Sequence, residues 1–482
     1  MNLTVNEIRN ICDSKEELEK GDREVSGVVI DSRLVGEGFV FVAVTGERAN
    51  GHSFLKQVFE KGAACAVISK NIDEVCREYG FDKENLGPCF VVEDTLKTLT
   101  AIAAYYRSKL SIPIVGITGS VGKTSTKELI AGVLSVKYNV LKTQGNFNNE
   151  IGLPLTLLRI DKEHEVAVVE MGISDFGEMS RLSNVARPDI CVITNIGQCH
   201  LEKLQDRNGV LKAKTEIFDY MGKDSVVILN KNDDKLSKLL RVRVGKALNS
   251  EGYEVSPLFF GKDMDAFDCC IAGNVKNLGL LGSDALITYG YESMEVHIPL
   301  CGEHMVMNAA AATLVGRKLG LPMEMIKEGI EKATACEGRG KIYEYKDMTL
   351  IDDCYNANPV SVKAGLKLLG ITKGYRTAIL GDMFELGEKE KELHYEVGKA
   401  AASEGIDRLI CIGKLSENTF CGAKEMNTGM KIFYYEDLDS FLKEIKTDIF
   451  AIIPKDSSVL VKASHGMKFT RILDTVFEIM EN

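Results

Sequence analysis

Nowhere does the sequence approach the ~18 unbroken apolar residues that a membrane-spanning helix needs. Its N-terminus, MNLTVNEIRNICDSKEELEK, has no basic start followed by an apolar block, so no secretory signal is expected and the chain reads as cytoplasmic. An excess of positive charge is missing too: 59 Lys and Arg stand against 70 Asp and Glu, a net charge of −11. That balance is the opposite of what a phosphate-backbone binder carries, which removes nucleic acid from the expected partners. The 13 cysteines contain no Cys-x-x-Cys pair and lie mostly in apolar runs such as GAACAVIS and DICVITN. Metal clusters and disulfide frameworks are therefore disfavoured, and the cysteines read as reduced, buried small hydrophobes. Repeats of roughly 20 to 50 residues are absent as well, which excludes solenoids.

What is present is a globular composition, 45% hydrophobic and 27% charged over 482 residues. At about 150 residues per domain, that length suggests about three domains. Short β-branched and aromatic runs alternate with apolar-periodic segments throughout, the pattern of parallel sheets covered by helices, so the class is α/β. VSGVVIDS, GFVFVAV, CAVIS and CFVVE read as the first strands, with GHSFLKQVFEKG as a helix among them. The helix-like TLKTLTAIAAYYRSKL runs into Ser111-Ile112-Pro113, and proline disfavours its continuation. A first domain is thus expected over 1–110. A second, over 111–335, opens with PIVGIT, continues through EVAVVEMG, DICVITNIG and SVVILN, and closes near the helix of HMVMNAAAATLVGRKLG. After the Gly-rich CEGRGK a third α/β unit, 336–482, repeats the alternation in TLIDD, RTAILGD, RLICIG and SVLVKAS.

The strongest local signal is IPIVGITGSVGKTSTKELIAGVL, an apolar strand that enters a Gly-rich turn and leaves as a helix. Backbone amides around Thr118, Gly119, Ser120 and Gly122 would face phosphate oxygens, Lys123 would neutralise the terminal phosphates, and the Thr124 hydroxyl could ligate magnesium. The common spacing places a further glycine where Ile117 stands, so this is a variant phosphate loop. Glu170 ends the strand VAVVEMG at the edge that faces a nucleotide crevice in parallel sheets, although a strand-end glutamate is often just a solvated group. His200, in GQCHLEKL, follows the strand CVITNIG at the same kind of edge. Two such residues near one loop favour magnesium, which prefers oxygens and tolerates an imidazole. Spacing alone reads Lys214, in LKAKTEIF, as a solvent-facing lysine.

TGSVGKTSTKE, GNFNNEIGLP, VVEMG, NIGQCHLE, KAKTEIF, DDCYNANP, GDMFELG and LVKAS together resemble the ATP-dependent Mur ligases of peptidoglycan synthesis, from about Asp31 to Met467. The serine after Gly119, the block GNFNNEIGLP and the pair YNANP with GDMFELG resemble the branch that adds D-alanyl-D-alanine. The sister branch that adds a diamino acid usually carries Thr-Asn after that glycine and an Asp-Asn-Pro-Arg block, and neither occurs here. The resemblance implies a central phosphate-loop ATPase domain on a parallel sheet, an N-terminal α/β domain that binds the UDP end of the substrate, and a Rossmann-like C-terminal α/β domain that closes on ATP and receives the dipeptide.

It also implies roles. Lys123 and Thr124 hold ATP and magnesium; Glu170 and His200 are metal ligands; and Lys214 matches the family lysine that is carbamylated, becoming a carboxylate-like ligand for a second magnesium. Asn308 falls near the adenine, although Met305 stands where the family often has another asparagine. Arg339 matches an interdomain arginine that reaches the γ-phosphate, and Asp353 an acidic residue that meets the nucleotide. Asn356 and Asn358 look placed for the same cleft or, equally, for capping the helix after Pro359. Lys462 lies in a motif expected at the dipeptide, where His465 replaces a more usual arginine. Asn146 and Asn149 are expected at the substrate, as are Ser32 and Arg33 in the N-terminal module.

The implied reaction transfers the ATP γ-phosphoryl group to a carboxylate of UDP-N-acetylmuramoyl-tripeptide, and the amine of D-alanyl-D-alanine displaces phosphate from the acyl phosphate. Charge neutralisation by Lys123, Arg339 and magnesium, with closure of the third domain against water, is what this chemistry needs. The chain is expected to act as a monomer. The rivals are a sister ligase adding a diamino acid, a nucleotide-dependent switch, which has no need of Glu170, His200 and Lys214 together, and a phosphate-loop kinase, which has no need of a third domain.

Overall fold

The apolar runs become strands that sort into three main sheets. The computed structural model describes residues 1–16, 18, 21–46, 49–262, 269–345 and 348–481. Glu47 and Arg48, within the motif TGERANGHSF, lie outside the described residues.

The first sheet has four parallel strands in chain order, Gly27–Val29, Phe39–Val42, Cys65–Ile68 and Cys89–Val91. Parallel neighbours need crossovers, and GHSFLKQVFEKG supplies one as a 3₁₀ turn, Gly51–Phe54, that runs into the helix Leu55–Glu60. The helix Thr95–Ser108 begins at Asp94, whose carboxylate accepts from the backbone amides of Leu96 and Lys97. It buries Leu99, Ile102, Ala103 and Tyr106 and packs on the helices Gly152–Leu157 and Glu178–Ala186 of the next unit. Arg107, nearly buried, fastens this junction: its guanidinium donates to the Ala186 and Arg187 carbonyls and pairs with Asp189 at 2.9 Å.

The central sheet has nine strands. Its parallel part runs, from the edge inward, Val140–Lys142, Val166–Glu170, Ile114–Thr118, Ile190–Ile193, Val226–Asn230 and Leu258–Lys262. The sheet differs from the parallel reading beyond these. Cys269–Asn277 is parallel to Leu258–Lys262 but antiparallel to Ser283–Tyr289, which is antiparallel to Glu292–Ile298. The reason is the connection: Tyr289 pairs with Glu292, so only Gly290 and Tyr291 turn the chain, and Gly290 has φ 61°. So short a turn joins only antiparallel neighbours. The helix His304–Lys318 then packs its Ala309–Ala312 stretch against the sheet and against the helix Lys123–Leu134.

The third sheet opens with an antiparallel pair, Lys341–Tyr345 and Met348–Asp352. It continues in parallel through Ser457–Lys462, Tyr375–Gly381, Arg408–Ile412 and Lys431–Tyr435, with apolar clusters on both faces. No helix among the described residues is long and apolar enough to cross a membrane.

Candidate active site

The strand Ile114–Thr118 lies between Val166–Glu170 and Ile190–Ile193, and the register sets Ile117 beside Glu170 and Thr118 beside Ile193. Three parallel strands therefore deliver the phosphate loop, Glu170 and Thr194 to one edge. The chain leaves its strand at Gly119, where φ is 151° and an added Cβ would come 1.9 Å from the Thr194 hydroxyl. It enters the helix Lys123–Leu134 at Gly122, left-handed at φ 83°. The Thr194 hydroxyl and the Asn195 amide donate to the Val121 carbonyl at 2.6 and 2.9 Å, while Asn195 Oδ1 accepts from the Val121 amide at 2.9 Å. The loop is thus shaped by protein bonds alone, with a helix N-terminus beneath it suited to an anion. Lys123 folds back over it, its ammonium donating to the Gly119 carbonyl at 2.8 Å.

Glu170, only 2% exposed, forms the floor. One carboxylate oxygen accepts from the Thr124 hydroxyl and the other from the Asn148 amide, both at 2.8 Å. Its backbone amide donates to the Thr143 hydroxyl at 2.9 Å, and the buried Lys127 ammonium holds the Thr143 carbonyl at 2.8 Å. Asn148, Thr143, Lys127 and Asn195 were not singled out by sequence. A signal for Asn148 existed in the GNFNNE block, but spacing could not say which asparagine points inward. Asn149 accepts from the Gly152 amide at 2.9 Å, at the start of the helix Gly152–Leu157, and lines the cavity, whereas Asn146 is exposed and does not.

Lys214 corrects the spacing reading. It is 1% exposed rather than solvent-facing, because its helix Arg207–Thr215 turns that side chain inward. Burial pushes its ammonium down to about 8, with the nearby Lys123 charge acting in the same direction and the Cys199 sulfur opposing it. Cys199 itself donates to the Ser120 hydroxyl of the loop at 3.1 Å. His200 lines the cavity, and its Nδ1 lies 2.6 Å from a carboxylate oxygen of Glu385 in the third unit.

From the third unit, Arg339 lays its guanidinium over the Tyr355 ring, 3.9 Å from the centroid, and leaves Nε buried without a partner. His465 packs against the same ring at 5.5 Å. Asp353 and Lys462 hold each other at 2.6 Å, and Lys462 also donates to the Asn356 carbonyl at 3.0 Å. Asn358 caps the helix Pro359–Gly370, accepting from the Ser361 amide at 2.9 Å, so its capping role is realised while it also lines the cavity.

These groups enclose one cavity of about 820 Å³, walled by Ser120, Gly122, Lys123 and Asn308 on one side and by Arg339, Asp353, Tyr355, Asn356, Asn358 and Lys462 on the other. Asn308 is buried beneath Gly122. Ser32 and Arg33 do not line it: Ser32 is buried with its carbonyl accepting from Lys61, and the exposed Arg33 forks onto Asp31 at 2.6 Å. Among the described residues no three His, Cys, Asp or Glu side chains cluster around a metal position. The donor chemistry of Thr124 and Glu170, two hard oxygens in contact at the mouth of an anion site, nevertheless fits a magnesium ion that keeps several waters.

Three family models match in succession: the Mur ligase family, catalytic domain, over residues 24–107; the Mur ligase middle domain over 117–316; and the Mur ligase, glutamate ligase domain over 338–465. The chain is 33% identical over 460 residues to the UDP-N-acetylmuramoyl-tripeptide--D-alanyl-D-alanine ligase of Bacillus subtilis, covering 94% of this chain and 93% of that protein. It is 33% identical over 418 residues to the ligase of the same name from Escherichia coli, covering 86% and 87%. Among solved structures, MurF from Acinetobacter baumannii superposes with a TM-score of 0.83 at 28% identity, covering 98% of both chains. MurF ligase from Thermotoga maritima in complex with ADP gives 0.77 at 28% identity, covering 94% and 98%. With similarity of this extent over nearly its whole length, and a phosphate-loop cavity shared between two of its units, the chain belongs to the Mur ligase family.

Proposed function

We propose that this chain joins D-alanyl-D-alanine to UDP-N-acetylmuramoyl-tripeptide at the expense of ATP, through an acyl phosphate. The observation that carries this reading is the single cavity in which the phosphate loop and Glu170 face Arg339, Asp353 and Lys462 of another unit. The names of the relatives support the choice of substrates, and the ADP in the Thermotoga maritima structure supports ATP as the phosphoryl donor. The three working units are 1–110, 111–335 and 336–482, in a monomer that acts in the cytoplasm.

The phosphate loop, from Thr118 through Ser120 to Gly122, cradles the ATP phosphates with its amides, Lys123 neutralises their charge, and Asn308 faces the base. Thr124, Glu170 and His200 would hold one magnesium ion and carbamylated Lys214 a second, which supply charge neutralisation for the transferring phosphoryl group. The depressed ammonium of Lys214 favours carbamylation, because the neutral amine is the form that adds to carbon dioxide. Asn148 and Thr124 hold the Glu170 carboxylate in place beside the loop. Arg339, fixed on Tyr355, reaches the γ-phosphate from the third unit, and Asp353 meets the nucleotide.

Ser32 and Arg33 bind the UDP end, Asn146 and Asn149 contact the substrate, Asn356 and Asn358 line the cleft beside Asp353, and Lys462 meets the incoming dipeptide. Lys462, paired with Asp353, orients the dipeptide carboxylate while the dipeptide amine attacks the acyl carbon. The carbon–oxygen bond to phosphate then breaks, the amide forms, and the amine gives up a proton. Walls from two units keep water off the acyl phosphate, a mixed anhydride that would otherwise hydrolyse.

The test is phosphate release from ATP with magnesium, with and without each proposed substrate, and with products weighed by mass spectrometry. Release that needs both substrates and yields the pentapeptide nucleotide is expected. Release indifferent to both would replace ligation with a hydrolytic switch, and a product formed only from the dipeptide nucleotide plus a diamino acid would assign the sister reaction.

A further inference from the structure

The third unit touches the nucleotide site at a point outside the cavity walls discussed so far. Glu385, in GDMFELG, follows the strand Tyr375–Gly381 and brings its carboxylate to 2.6 Å from Nδ1 of His200 in the central unit. Both residues are non-glycine and left-handed, His200 at φ 51° and Glu385 at φ 62°. Such a conformation is unfavourable for a residue with a Cβ and persists only where the surroundings enforce it.

The surroundings of Glu385 do so. The Met383 amide donates to His394 Nε2 and the Phe384 amide to the Ser464 hydroxyl, both at 2.9 Å, and Leu386 is buried in the core of the third unit. The turn also lies close against the central unit: a Cβ on Gly387, itself at φ 64°, would come 3.4 Å from the backbone amide of Glu202. Glu385 is therefore held out rigidly from the third unit, with its side chain 57% exposed and yet set against one imidazole edge. That Nδ1 edge of His200 is buried and has no hydrogen-bond partner, so the ion-pair approach of Glu385 is the contact made to it, while the side chain remains one-quarter exposed and lines the cavity. What the ring offers the cavity is its opposite edge, which carries Nε2.

We infer that Glu385 is a positioning residue for His200: its carboxylate holds Nδ1, fixes the ring orientation, and leaves Nε2 for the magnesium-bound nucleotide, so that the third unit completes the nucleotide site of the central one. A carboxylate behind an imidazole is the arrangement that orients metal-facing histidines generally, and its loss costs about 10- to 100-fold in metal affinity. Here the carboxylate comes from a different unit, so nucleotide affinity is coupled to docking of the third unit. This inference rests on the role proposed above for His200, and the test separates the two.

ADP binding to the full chain is measured by titration calorimetry, with and without magnesium, for the parent, Glu385→Ala, Glu385→Gln, His200→Ala and the double variant Glu385→Ala/His200→Ala. Thermal melting is run alongside. Expected is a loss of about tenfold in ADP affinity for Glu385→Ala with magnesium, and no change without it. Glu385→Gln, which keeps an oxygen at the same place, recovers most of the loss. In the His200→Ala background, removing Glu385 changes affinity by no more than about twofold, because the two act as one unit.

Equal losses from Glu385→Ala with and without His200 overturn the inference, since Glu385 would then act by another route. So does an unchanged affinity in Glu385→Ala when His200→Ala weakens binding, which leaves the role of His200 intact. A His200→Ala variant that binds magnesium and ADP like the parent overturns the role of His200 itself and the inference with it.

Discussion

Glu170 and Lys214 are two buried ionisable residues of the central unit, and their surroundings accommodate them in different ways. Glu170, at 2% exposure, has each carboxylate oxygen hydrogen-bonded, one by Thr124 and the other by Asn148, and its backbone amide by Thr143. Lys214 is buried but not so compensated, and burial brings its ammonium down to about 8. In the unfolded chain it titrates near the ordinary lysine value of about 10.4. Between those values the unfolded state holds more protons, so the contribution of Lys214 to stability rises with pH from about 8 to 10.4 and is least favourable below 8. In buffer freed of carbon dioxide, Lys214→Met is expected to be more stable than the parent at pH 7 by on the order of 3 kcal/mol, the gap closing toward pH ~10.4. Urea unfolding at several pH values measures this; a gap independent of pH would contradict a buried ammonium with a lowered pKa.

Residues in contiguous motifs were legible in the sequence, since Lys123 and Thr124 sit at fixed steps from a strand and a helix start. Their partners were not. Asn195 is 74 positions from Val121, and Glu385 is 185 from His200, so only the folded sheet edges bring them together.

At the scale of elements, the phosphate loop is a strand-to-helix turn with almost no side-chain room. Gly119 lies so close to Thr194 that an added methyl group would sit 1.9 Å from its hydroxyl, and Gly122 must be left-handed to start the helix. Gly119→Ala is expected to abolish measurable ADP binding in calorimetry, while the melting temperature of the chain falls by only a few degrees because the collision is confined to the loop. Binding that survives the substitution would mean the loop can adopt another path. The parallel strands were readable as near-continuous apolar runs bounded by glycine or polar turns. The antiparallel extension was not: Ser283–Tyr289 alternates buried and partly exposed positions, a period-2 pattern, but in a chain dominated by buried parallel strands only the Gly290-Tyr291 turn marks the reversal. Lys214 shows the same limit in a helix, where a lysine between Ala213 and Thr215 gave no sign that its face turns inward.

Across the whole molecule, the first unit and the central unit share a continuous apolar core through the helix Thr95–Ser108, while the third unit meets the central one across a cavity. That asymmetry joins the first unit to the central one through packed apolar side chains and leaves the third unit facing the central one across the site. The three α/β units and the phosphate loop could be read from the sequence because each depends on local pattern. The cavity between units could not, because it depends on which strand ends face one another in space.

The most direct measurement follows an oxygen atom. The terminal carboxylate of UDP-N-acetylmuramoyl-tripeptide is labelled with heavy oxygen, and the phosphate released during reaction with ATP and D-alanyl-D-alanine is weighed. An acyl phosphate made in the cavity bridges carbon and phosphorus through a carboxylate oxygen, and amine attack sends that atom out with phosphate. One heavy oxygen per phosphate is the expected result. Phosphate that carries none, with the label retained in the peptide, would contradict carboxylate activation and mean that ATP is cleaved by water instead.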